Sequence, residues 1–345
     1  MIFLYSIPVL RLTFQAMKGR WFGMTLLSGL AALTVARADE PAIEGKAALL
    51  VDARTGQVLF AKNAETQYAP ASTIKLLTAL IVWERTRLQG AVRILPADTR
   101  VEPSHIPLRS GEVVTVSRLV NALLIGSDND SAMALARHTA GNVGAFVTLM
   151  NERARQLGCA GTVVKNPHGL PANGQLTTAG DMLKIFEAAL AVPVLREICA
   201  TPRYQLTTAV GTQTIRNHNK LLETYAGMGA AKTGWTAASR HTYAASANRG
   251  GRELRLIILN SPNKWDDAKA LLDYGFGGAP AVVADRQPAP SAGNGLTVYK
   301  VRKGDTLSAI CRRFAVSMKT VLRHNNLSNP HVINPGMVLY IPLRG

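Results

Sequence analysis

One segment near residue 72 constrains the fold more than any other part of the chain. Residues 68–80 read YAPASTIKLLTAL, and from Ser72 onward the run is apolar on almost every side, which predicts a helix buried inside a large domain. Lys75 nevertheless lies one helical turn after Ser72, on the same face. Burial disfavours the charged form of a lysine, and a neutral lysine can act as the base that activates a neighbouring serine. The alternative is a helix that begins with Ser72 as its N-cap and leaves Lys75 exposed to water.

Two later motifs add further hydroxyl and amino groups. The SDN sequence at 127–129 falls in a break between two predicted helices, and the KTG sequence at 232–234 falls on a predicted strand. Taken alone, the first could be a helix cap and the second an ordinary turn or edge strand. The order SxxK, SDN, KTG along one chain is the set found in serine β-lactamases and penicillin-binding proteins. The three motifs together therefore predict one active site.

Apolar periodicity predicts the arrangement of sheet and helices in the first 280 residues. Residues 46–64 have the pattern of a β-hairpin with its turn near Thr55 and Gly56. Amphipathic helices follow through the middle, and the segments AAKTGW, RHTYAASAN and ELRLIILN have the pattern of strands. Strands at both ends with helices between them predict one sheet with helices packed on it, an α/β (α+β) fold.

A change of composition near the C-terminus predicts a second domain. A chain of 345 residues is long enough for about two domains. Residues 278–295 are rich in Ala, Pro, Gly and Ser and lack apolar periodicity, which is typical of a linker. We therefore place a large domain at 39–280, a linker at 281–295 and a small domain at 296–345.

The N-terminus has the pattern of an export signal. Lys18 and Arg20 precede an apolar run of 15 residues, and the small-residue sequence Ala-Arg-Ala ends at Ala38. The run is short for a membrane span, which needs about 20 residues. We predict a signal peptide at 1–38, cleaved after Ala38, and hence export to the periplasm or cell envelope. The alternative is an uncleaved segment that holds the chain at the membrane.

The charge distribution favours an anionic partner in the cell envelope. The formal net charge is +17 for the whole chain, +13 without the predicted signal, and +7 for residues 296–345 alone. A basic excess of this size suits a polyanion. Because an exported protein does not normally meet nucleic acid, we predict no nucleic-acid partner. We expect membrane association only through an uncleaved signal.

The cysteine and histidine patterns predict no metal site. Cys159, Cys199 and Cys311 are scattered without a CxxC pair, and the histidines form no HExxH motif. We expect no metal and no cofactor. Buried thiols are the favoured interpretation, and a Cys159–Cys199 disulfide is the alternative in an oxidising compartment.

Residues 45–277 resemble the low-molecular-weight penicillin-binding proteins, which are serine-type D-Ala-D-Ala carboxypeptidases. Beyond the three motifs, NPHGL at 166–170, LTTAGDM at 176–182 and LLDYGF at 271–276 are similar to stretches of that family. The resemblance implies a β-lactamase/transpeptidase-like sheet with a helical subdomain. Two features depart from the family's pattern: a tryptophan follows the KTG motif, and a different unit replaces the second domain of many members.

The resemblance also implies roles for individual residues. Ser72 would be the nucleophile that forms an acyl-enzyme, Lys75 its base, and Ser127 the group that passes a proton to the leaving amine. The backbone N–H groups of Ser72 and Trp235 would form the oxyanion hole. The residues implied in substrate binding are Asn129, Lys232, Thr233, Gly234 and Trp235.

Lys264 is a further candidate in the same region. Family members often carry a second cation near this point, where it would meet the terminal carboxylate of the substrate. We favour the alternative of a solvated surface lysine.

Residues 299–342 resemble a LysM domain. The pattern is strand, helix, helix, strand, a βααβ unit in which Thr306 can cap the helix that carries Ile310 and Phe314. A turn at Gly304-Asp305 and a closing Pro-Gly at 335–336 fit the module. The resemblance implies binding to glycans that contain N-acetylglucosamine, and hence to peptidoglycan. The alternative is a basic mini-domain without a ligand.

Together the resemblances imply a serine D,D-carboxypeptidase that removes the terminal D-alanine from peptidoglycan stem pentapeptides, with β-lactams as covalent inhibitors. A D,D-endopeptidase that cuts cross-links is an alternative that the motifs do not separate. A β-lactamase commonly uses an added glutamate before the KTG motif, and the interval contains no ExxLN sequence. An inactive wall-binding protein is the alternative from a different class. It would need a broken motif, whereas all three are intact.

Overall fold

The structure is a computed structural model that describes residues 40–101, 106, 108–277, 296–301, 305–314, 316–325, 327, 333 and 337–342. The predicted signal peptide at 1–38 and the predicted linker at 281–295 lie outside the described residues, as do Gly304 and the Pro-Gly at 335–336. We refer to residues 40–277 as the large unit and to residues 296–342 as the small unit. Within the described ranges, no helix combines the length and the apolar character needed to span a bilayer.

The main sheet of the large unit is formed by both ends of its chain, as predicted. The strands are β1 (Ala47–Asp52), β2 (Val58–Lys62), β3 (Ala91–Arg93), β4 (Val113–Thr115), β5 (Arg203–Thr208), β6 (Gly211–Arg216), β7 (Met228–Thr236), β8 (Arg240–Arg249) and β9 (Arg252–Ser261). The main sheet has the order β2-β1-β9-β8-β7, and its neighbouring strands are antiparallel. The strands β3 and β4 form one separate hairpin, and β5 and β6 form another.

The helices occupy the middle of the large unit and its C-terminal end. They are α1 (Lys75–Thr86), α2 (Val116–Ile125), α3 (Asn129–Ala140), α4 (Val143–Gln156), α5 (Ala179–Leu190), α6 (Pro193–Ala200), α7 (Leu221–Thr224) and α8 (Lys264–Gly275). Helices α2 to α5 each follow a residue whose side chain accepts a hydrogen bond from an N–H group of the first turn. These capping residues are Thr115, Asp128, Asn142 and Thr178.

The main sheet is buried on both faces. Along β1, Leu49 and Val51 pack in one apolar core, and Ala48 and Leu50 pack in the other, because successive side chains of a strand point to opposite faces. The first core contains the buried side of α1, whose residues from Lys75 to Val82 are all buried. The sequence prediction of a buried helix at this point is confirmed.

The turn before α1 differs from the prediction of a continuous helix from Ser72. Ala71–Ile74 form one turn of 3-10 helix, in which the Lys75 N–H donates to the Ser72 carbonyl. Ala71 has a φ of +46°. A Cβ placed on Gly169 would lie 1.9 Å from the Ala71 carbonyl oxygen. The turn that carries Ser72 is therefore packed directly against the loop at 166–170.

The small unit is a βααβ unit, as predicted. Its elements are β10 (Leu296–Lys300), α9 (Leu307–Arg313), α10 (Met318–His324) and β11 (Val338–Pro342), and β10 pairs antiparallel with β11. The Thr306 hydroxyl accepts from the Ala309 N–H, which confirms the predicted cap. Ile310 and Val321 belong to its apolar core.

Candidate active site

Lys75 lies at the centre of a buried polar cluster at the start of α1. Its ammonium nitrogen donates to the Ser72 hydroxyl at 2.9 Å, to the Asn129 side-chain oxygen at 2.7 Å and to the Ser127 carbonyl at 2.9 Å. The side chain has no solvent exposure, so the alternative of a Ser72 cap followed by an exposed lysine is wrong. Burial and the positive charge of Lys232 lower the pKa of Lys75 well below its ordinary value. The structure therefore holds an amine of reduced basicity against the Ser72 hydroxyl.

Ser127 connects two lysines at the break between α2 and α3. Its hydroxyl oxygen accepts from Lys232 at 2.9 Å and lies 3.4 Å from the Lys75 nitrogen. Its backbone has a φ of +58°, a left-handed conformation that costs an ordinary residue roughly 1–2 kcal/mol. Asp128 then caps α3 by accepting from the Ser131 N–H at 2.8 Å. This turn therefore directs the Ser127 hydroxyl to both lysines while its neighbour starts the helix.

Lys232 and Thr233 lie side by side on β7, both nearly buried. Lys232 donates to the Ser127 hydroxyl and, at 2.8 Å, to the Thr233 carbonyl. Burial, with a smaller contribution from the positive charge of Lys264, lowers the pKa of Lys232 to about 7. A buried cation of this kind gains from an anion brought into the site, and the Thr233 hydroxyl lies on the next residue of the strand.

Gly234 lets β7 pass directly over the nucleophile. A Cβ at this position would lie 2.7 Å from the Ser72 nitrogen and 2.4 Å from the Thr242 hydroxyl, so a larger residue would push the strand away. Trp235, the next residue, is 60% exposed. Its side chain is therefore largely open to solvent at the end of β7.

Lys264 occupies a different environment from the one predicted. It is 7% exposed, so the interpretation as a solvated surface lysine is wrong. Its nitrogen lies 2.9 Å from Nδ1 of His241 and 4.4 Å from the centre of the Trp265 ring. His241 was missed by sequence reasoning. The signal that could have found it is strand register, because in the β7-β8 hairpin His241 lies opposite Trp235.

A cavity lies between the loop at 169–176 and the residues that follow the KTG motif. Its volume is about 370 Å³. One wall is the loop between Gly169 and Leu176, and the opposite wall is formed by Thr236 and Ala238 just after the KTG motif. Ala69, three residues before Ser72, contributes to the lining. All of the lining residues are uncharged, which suits a neutral part of a ligand.

His168 and the cysteines have structural surroundings. Nδ1 of His168 accepts from the Leu170 N–H, and burial together with the charge of Lys75 lowers the pKa of His168 to about 4. Cys159 and Cys199 are buried free thiols, the interpretation favoured from the sequence. Burial raises the pKa of both thiols to about 12.

The structure thus brings together residues that are far apart in the sequence. Ser72, Lys75, Ser127, Asn129 and Lys232 are linked by direct hydrogen bonds. The remaining predicted residues, Thr233, Gly234 and Trp235, follow Lys232 along β7. A hydroxyl, an amine of low basicity and a nearby cation can together perform nucleophilic attack on a carbonyl compound that carries an anionic group.

Comparison with known proteins relates the chain to one family and one binding module. A family model described as D-alanyl-D-alanine carboxypeptidase matches residues 34–263, and a model described as LysM domain matches residues 299–342. D-alanyl-D-alanine carboxypeptidase DacB2 of Mycobacterium tuberculosis is 36% identical over 236 residues, which cover 66% of this chain and 81% of that protein. DacF of Bacillus subtilis, which has the same enzyme name, is 31% identical over 271 residues, which cover 73% of this chain and 70% of that protein.

Solved structures show the same similarity. The crystal structure of a D-alanyl-D-alanine carboxypeptidase from Mycobacterium tuberculosis H37Rv matches with a TM-score of 0.65 and 35% identity, over 68% of this chain and 92% of that one. The Streptomyces K15 DD-transpeptidase matches with a TM-score of 0.66 and 29% identity, over 69% and 98%. The sheet and its helices are therefore those of DD-peptidases.

Proposed function

The chain belongs to the D-alanyl-D-alanine carboxypeptidase family and is a serine D,D-carboxypeptidase, and from this premise we propose that its acyl-enzyme forms on Ser72. The observation that carries the assignment is the buried Lys75 nitrogen, 2.9 Å from the Ser72 hydroxyl. The proposed substrate is the stem pentapeptide of peptidoglycan, and the bond that breaks joins its last two D-alanine residues.

Acylation begins with proton transfer from the Ser72 hydroxyl to neutral Lys75. The Ser72 oxygen then attacks the carbonyl carbon of the penultimate D-alanine, and a tetrahedral oxyanion forms. The backbone N–H groups of Ser72 and Trp235 stabilise that oxyanion. The close approach that Gly234 permits supports this step, because it brings β7 against the backbone of Ser72. Asn129, which accepts from Lys75, holds the peptide amide of the substrate.

The leaving D-alanine is protonated and held on the lysine side of the site. The C–N bond breaks as Ser127 gives its proton to the departing nitrogen, and the lysines on either side of Ser127 return a proton to it. Lys232 and Thr233 bind the terminal carboxylate, and the buried Lys264 adds a second cation. Water then hydrolyses the ester on Ser72 and releases the shortened peptide.

The cavity between the 169–176 loop and Thr236 receives the other half of the substrate. The carboxylate end lies towards Lys232, so the peptide that precedes the scissile bond extends past Trp235 to Thr236 and Ala238. Its neutral lining suits an uncharged stretch of stem peptide. β-Lactams, as covalent inhibitors, acylate Ser72 in the same site.

Two related activities are outcomes of the same chemistry. A D,D-endopeptidase also cleaves after D-alanine, and the DD-transpeptidase of Streptomyces K15 has a similar fold. A transpeptidase differs in passing the acyl group to an amine rather than to water. Incubation with pentapeptide muropeptides, cross-linked dimers and an added amine acceptor separates the three by their products.

We further propose that the enzyme acts outside the cytoplasm. The predicted signal at 1–38 and the relation to wall enzymes support export to the periplasm or cell envelope. The LysM unit supports binding to the N-acetylglucosamine-containing glycan of peptidoglycan. The stem peptide then meets the large unit while the glycan meets the small one.

The assignment of the nucleophile is tested by labelling with a fluorescent penicillin. Ser72→Ala removes only a hydroxyl, so it should abolish labelling and turnover of pentapeptide while the thermal unfolding midpoint stays near that of the parent. Ser117→Ala, on α2, is the matched control and should label normally. Full labelling of the Ser72→Ala protein would assign the acyl group to another residue.

A further inference from the structure

The ammonium group of Lys264 is nearly buried and has a histidine, not a carboxylate, as its neighbour. Its nitrogen lies 2.9 Å from Nδ1 of His241, and the Trp265 ring lies on another side at 4.4 Å from the nitrogen. A buried ammonium group loses hydration and needs compensating partners. One imidazole nitrogen and one aromatic ring face compensate only part of the hydration that this ammonium group has lost.

The acidic residues at the start of α8 are engaged elsewhere. Asp267 accepts from the N–H groups of Glu44 and Gly45 and from the Ser261 hydroxyl. Asp266 accepts from the Asn263 side chain at 2.7 Å. Among the described ion pairs none includes Lys264. Lys264 is therefore available to pair with an anion that a ligand brings.

The position of His241 is fixed by the main sheet. It lies near the start of β8, opposite Trp235 of β7 on one side and opposite Ser261 of β9 on the other. Since an ammonium group can only donate, Nδ1 of His241 must be the acceptor, and its ring proton must lie on Nε2. The imidazole of His241 thus lies between the C-terminal end of β7, which carries the KTG motif, and Lys264, the first residue of α8.

We propose that His241 is a positioning residue for catalysis, whose neutral imidazole holds the Lys264 ammonium group towards the carboxylate of the substrate and releases it when protonated. The proposal rests on the function proposed above, in which Lys264 is the second cation for that carboxylate. A proton on Nδ1 removes the lone pair to which Lys264 donates. Two cations at this separation repel, so we expect the ammonium group of Lys264 to move away from the imidazole.

Burial and the nearby charge of Lys264 favour the neutral form of His241 near neutral pH. The groups that face it are Lys264 from α8, Trp235 from β7 and Ser261 from β9. The positive charge of Lys220 in turn contributes to a lowered pKa of Lys264. Burial, together with the charge of Lys264, lowers the pKa of His241. The contact is therefore intact at neutral pH and is lost as the pH falls through that lowered pKa.

The test is the pH dependence of KM and kcat for a soluble peptide ending in D-Ala-D-Ala, measured on the full chain. In the parent, KM should rise roughly tenfold or more on acidification, the loss expected for one charge-assisted hydrogen bond. His241→Gln keeps an acceptor that does not titrate, so its KM should stay flat over the same range. His241→Leu has no acceptor, so its KM should be high at every pH. In each variant kcat should change much less than KM.

A control and a second measurement complete the design. His138→Gln, an exposed histidine on α3, should leave the parent's KM profile unchanged. Nitrogen-15 NMR of the parent at pH 7 should show Nδ1 of His241 unprotonated and Nε2 protonated, which requires no variant to fold. A parent KM that stays flat or falls on acidification, a parent-like profile in both His241 variants, or an Nδ1-protonated ring would overturn the proposal. Failure of the parent to turn over peptide or to bind penicillin would instead contradict the proposed function.

Discussion

At the scale of single residues, the proposed chemistry depends on two lysines that both contact the Ser127 hydroxyl. Ser127 lies between Lys75 and Lys232, and burial lowers the pKa of both lysines. The positive charge of Lys232 also lowers the pKa of Lys75, and the positive charge of Lys264 lowers that of Lys232. In the proposed mechanism, the positive charge of Lys232 therefore helps to keep Lys75 neutral and able to accept the Ser72 proton.

Lys75→Arg tests the base directly. Arginine keeps the positive charge but stays protonated, so it cannot accept the Ser72 proton. Acylation by penicillin should fall by about 10²–10⁴-fold, the usual contribution of a general base. In the parent, the acylation rate should also fall as the pH drops through the lowered pKa of Lys75, because the neutral form of Lys75 is lost. The rate of the variant should not show this decrease.

The measurement is the second-order rate of penicillin acylation against pH. Lys46→Arg makes the same change at an exposed position and should behave as the parent. A Lys75→Arg rate within a few-fold of the parent would mean that another group removes the proton.

At the scale of elements, the close contacts around Ser72 come from glycines on two separate segments. Gly169 has a φ of +90°, and a Cβ there would lie 1.9 Å from the Ala71 carbonyl oxygen. Gly169→Ala should therefore destabilise the protein by roughly 2–5 kcal/mol through strain and overlap, and should displace the turn that carries Ser72. Both the free energy of unfolding and the penicillin labelling rate should fall.

Gly56→Ala is the matched control for backbone strain. Gly56 also has a positive φ, +72°, but nothing lies within 4 Å of its added Cβ. It should cost only about 1–2 kcal/mol and leave labelling unchanged. Equal losses of labelling in the two variants would show that the fit of the 166–170 loop against Ala71 is unimportant.

Substitution at the mouth of the cavity tests where the stem peptide lies. Ala238→Trp should fill part of the space between the 169–176 loop and β7, and it should lower kcat/KM for a stem pentapeptide roughly tenfold. A short acylated D-Ala-D-Ala, which does not reach the cavity, should be cleaved at the parent rate. Ala237→Trp, one residue away and outside the lining, is the control. Equal effects on the two substrates would place the stem peptide elsewhere.

Elements with a strong periodic pattern were predictable, and elements set by tertiary contacts were not. The hairpin of β1 and β2, the strands β7 to β9 and buried α1 follow from alternation and apolar runs that extend over five or more residues. The β3-β4 hairpin, with three residues in each strand, carries too short a pattern to detect. The 3-10 turn before α1 lies against the loop near Gly169, about a hundred residues away in sequence, and no local pattern reveals that contact.

The candidate site likewise has features that the sequence predicted and features that it did not. Its polar motifs were visible because their residue types and order are unusual, and the structure brings them into contact. The burial of Lys264 was not visible, because a single lysine after a strand is most often solvated. The environment of Lys264 depends on β8, which places His241 beside it. The sequence around Lys264 does not show which residue of β8 will be its neighbour.

At the scale of the whole molecule, the charge is concentrated away from the catalytic unit. Residues 296–345 carry +7 of the +13 that remain without the predicted signal. The composition of residues 281–295 predicts a linker, and a flexible chain of that length spans roughly 20 Å. A glycan held by the LysM unit would therefore keep stem peptides near Ser72 at high effective concentration.

Removal of residues 296–345 tests this arrangement. The truncated enzyme should hydrolyse a small soluble D-Ala-D-Ala peptide at the parent rate, because the active site lies wholly within the large unit. It should sediment less with insoluble peptidoglycan and release D-alanine from it more slowly. Part of the parent's binding should weaken with added salt, since the removed segment is basic and exposed charges are screened. Turnover on both substrates is measured side by side, with penicillin labelling as the check that the large unit is folded. Proportional losses on both substrates would mean that the small unit supports the fold of the enzyme and does not direct it to the wall.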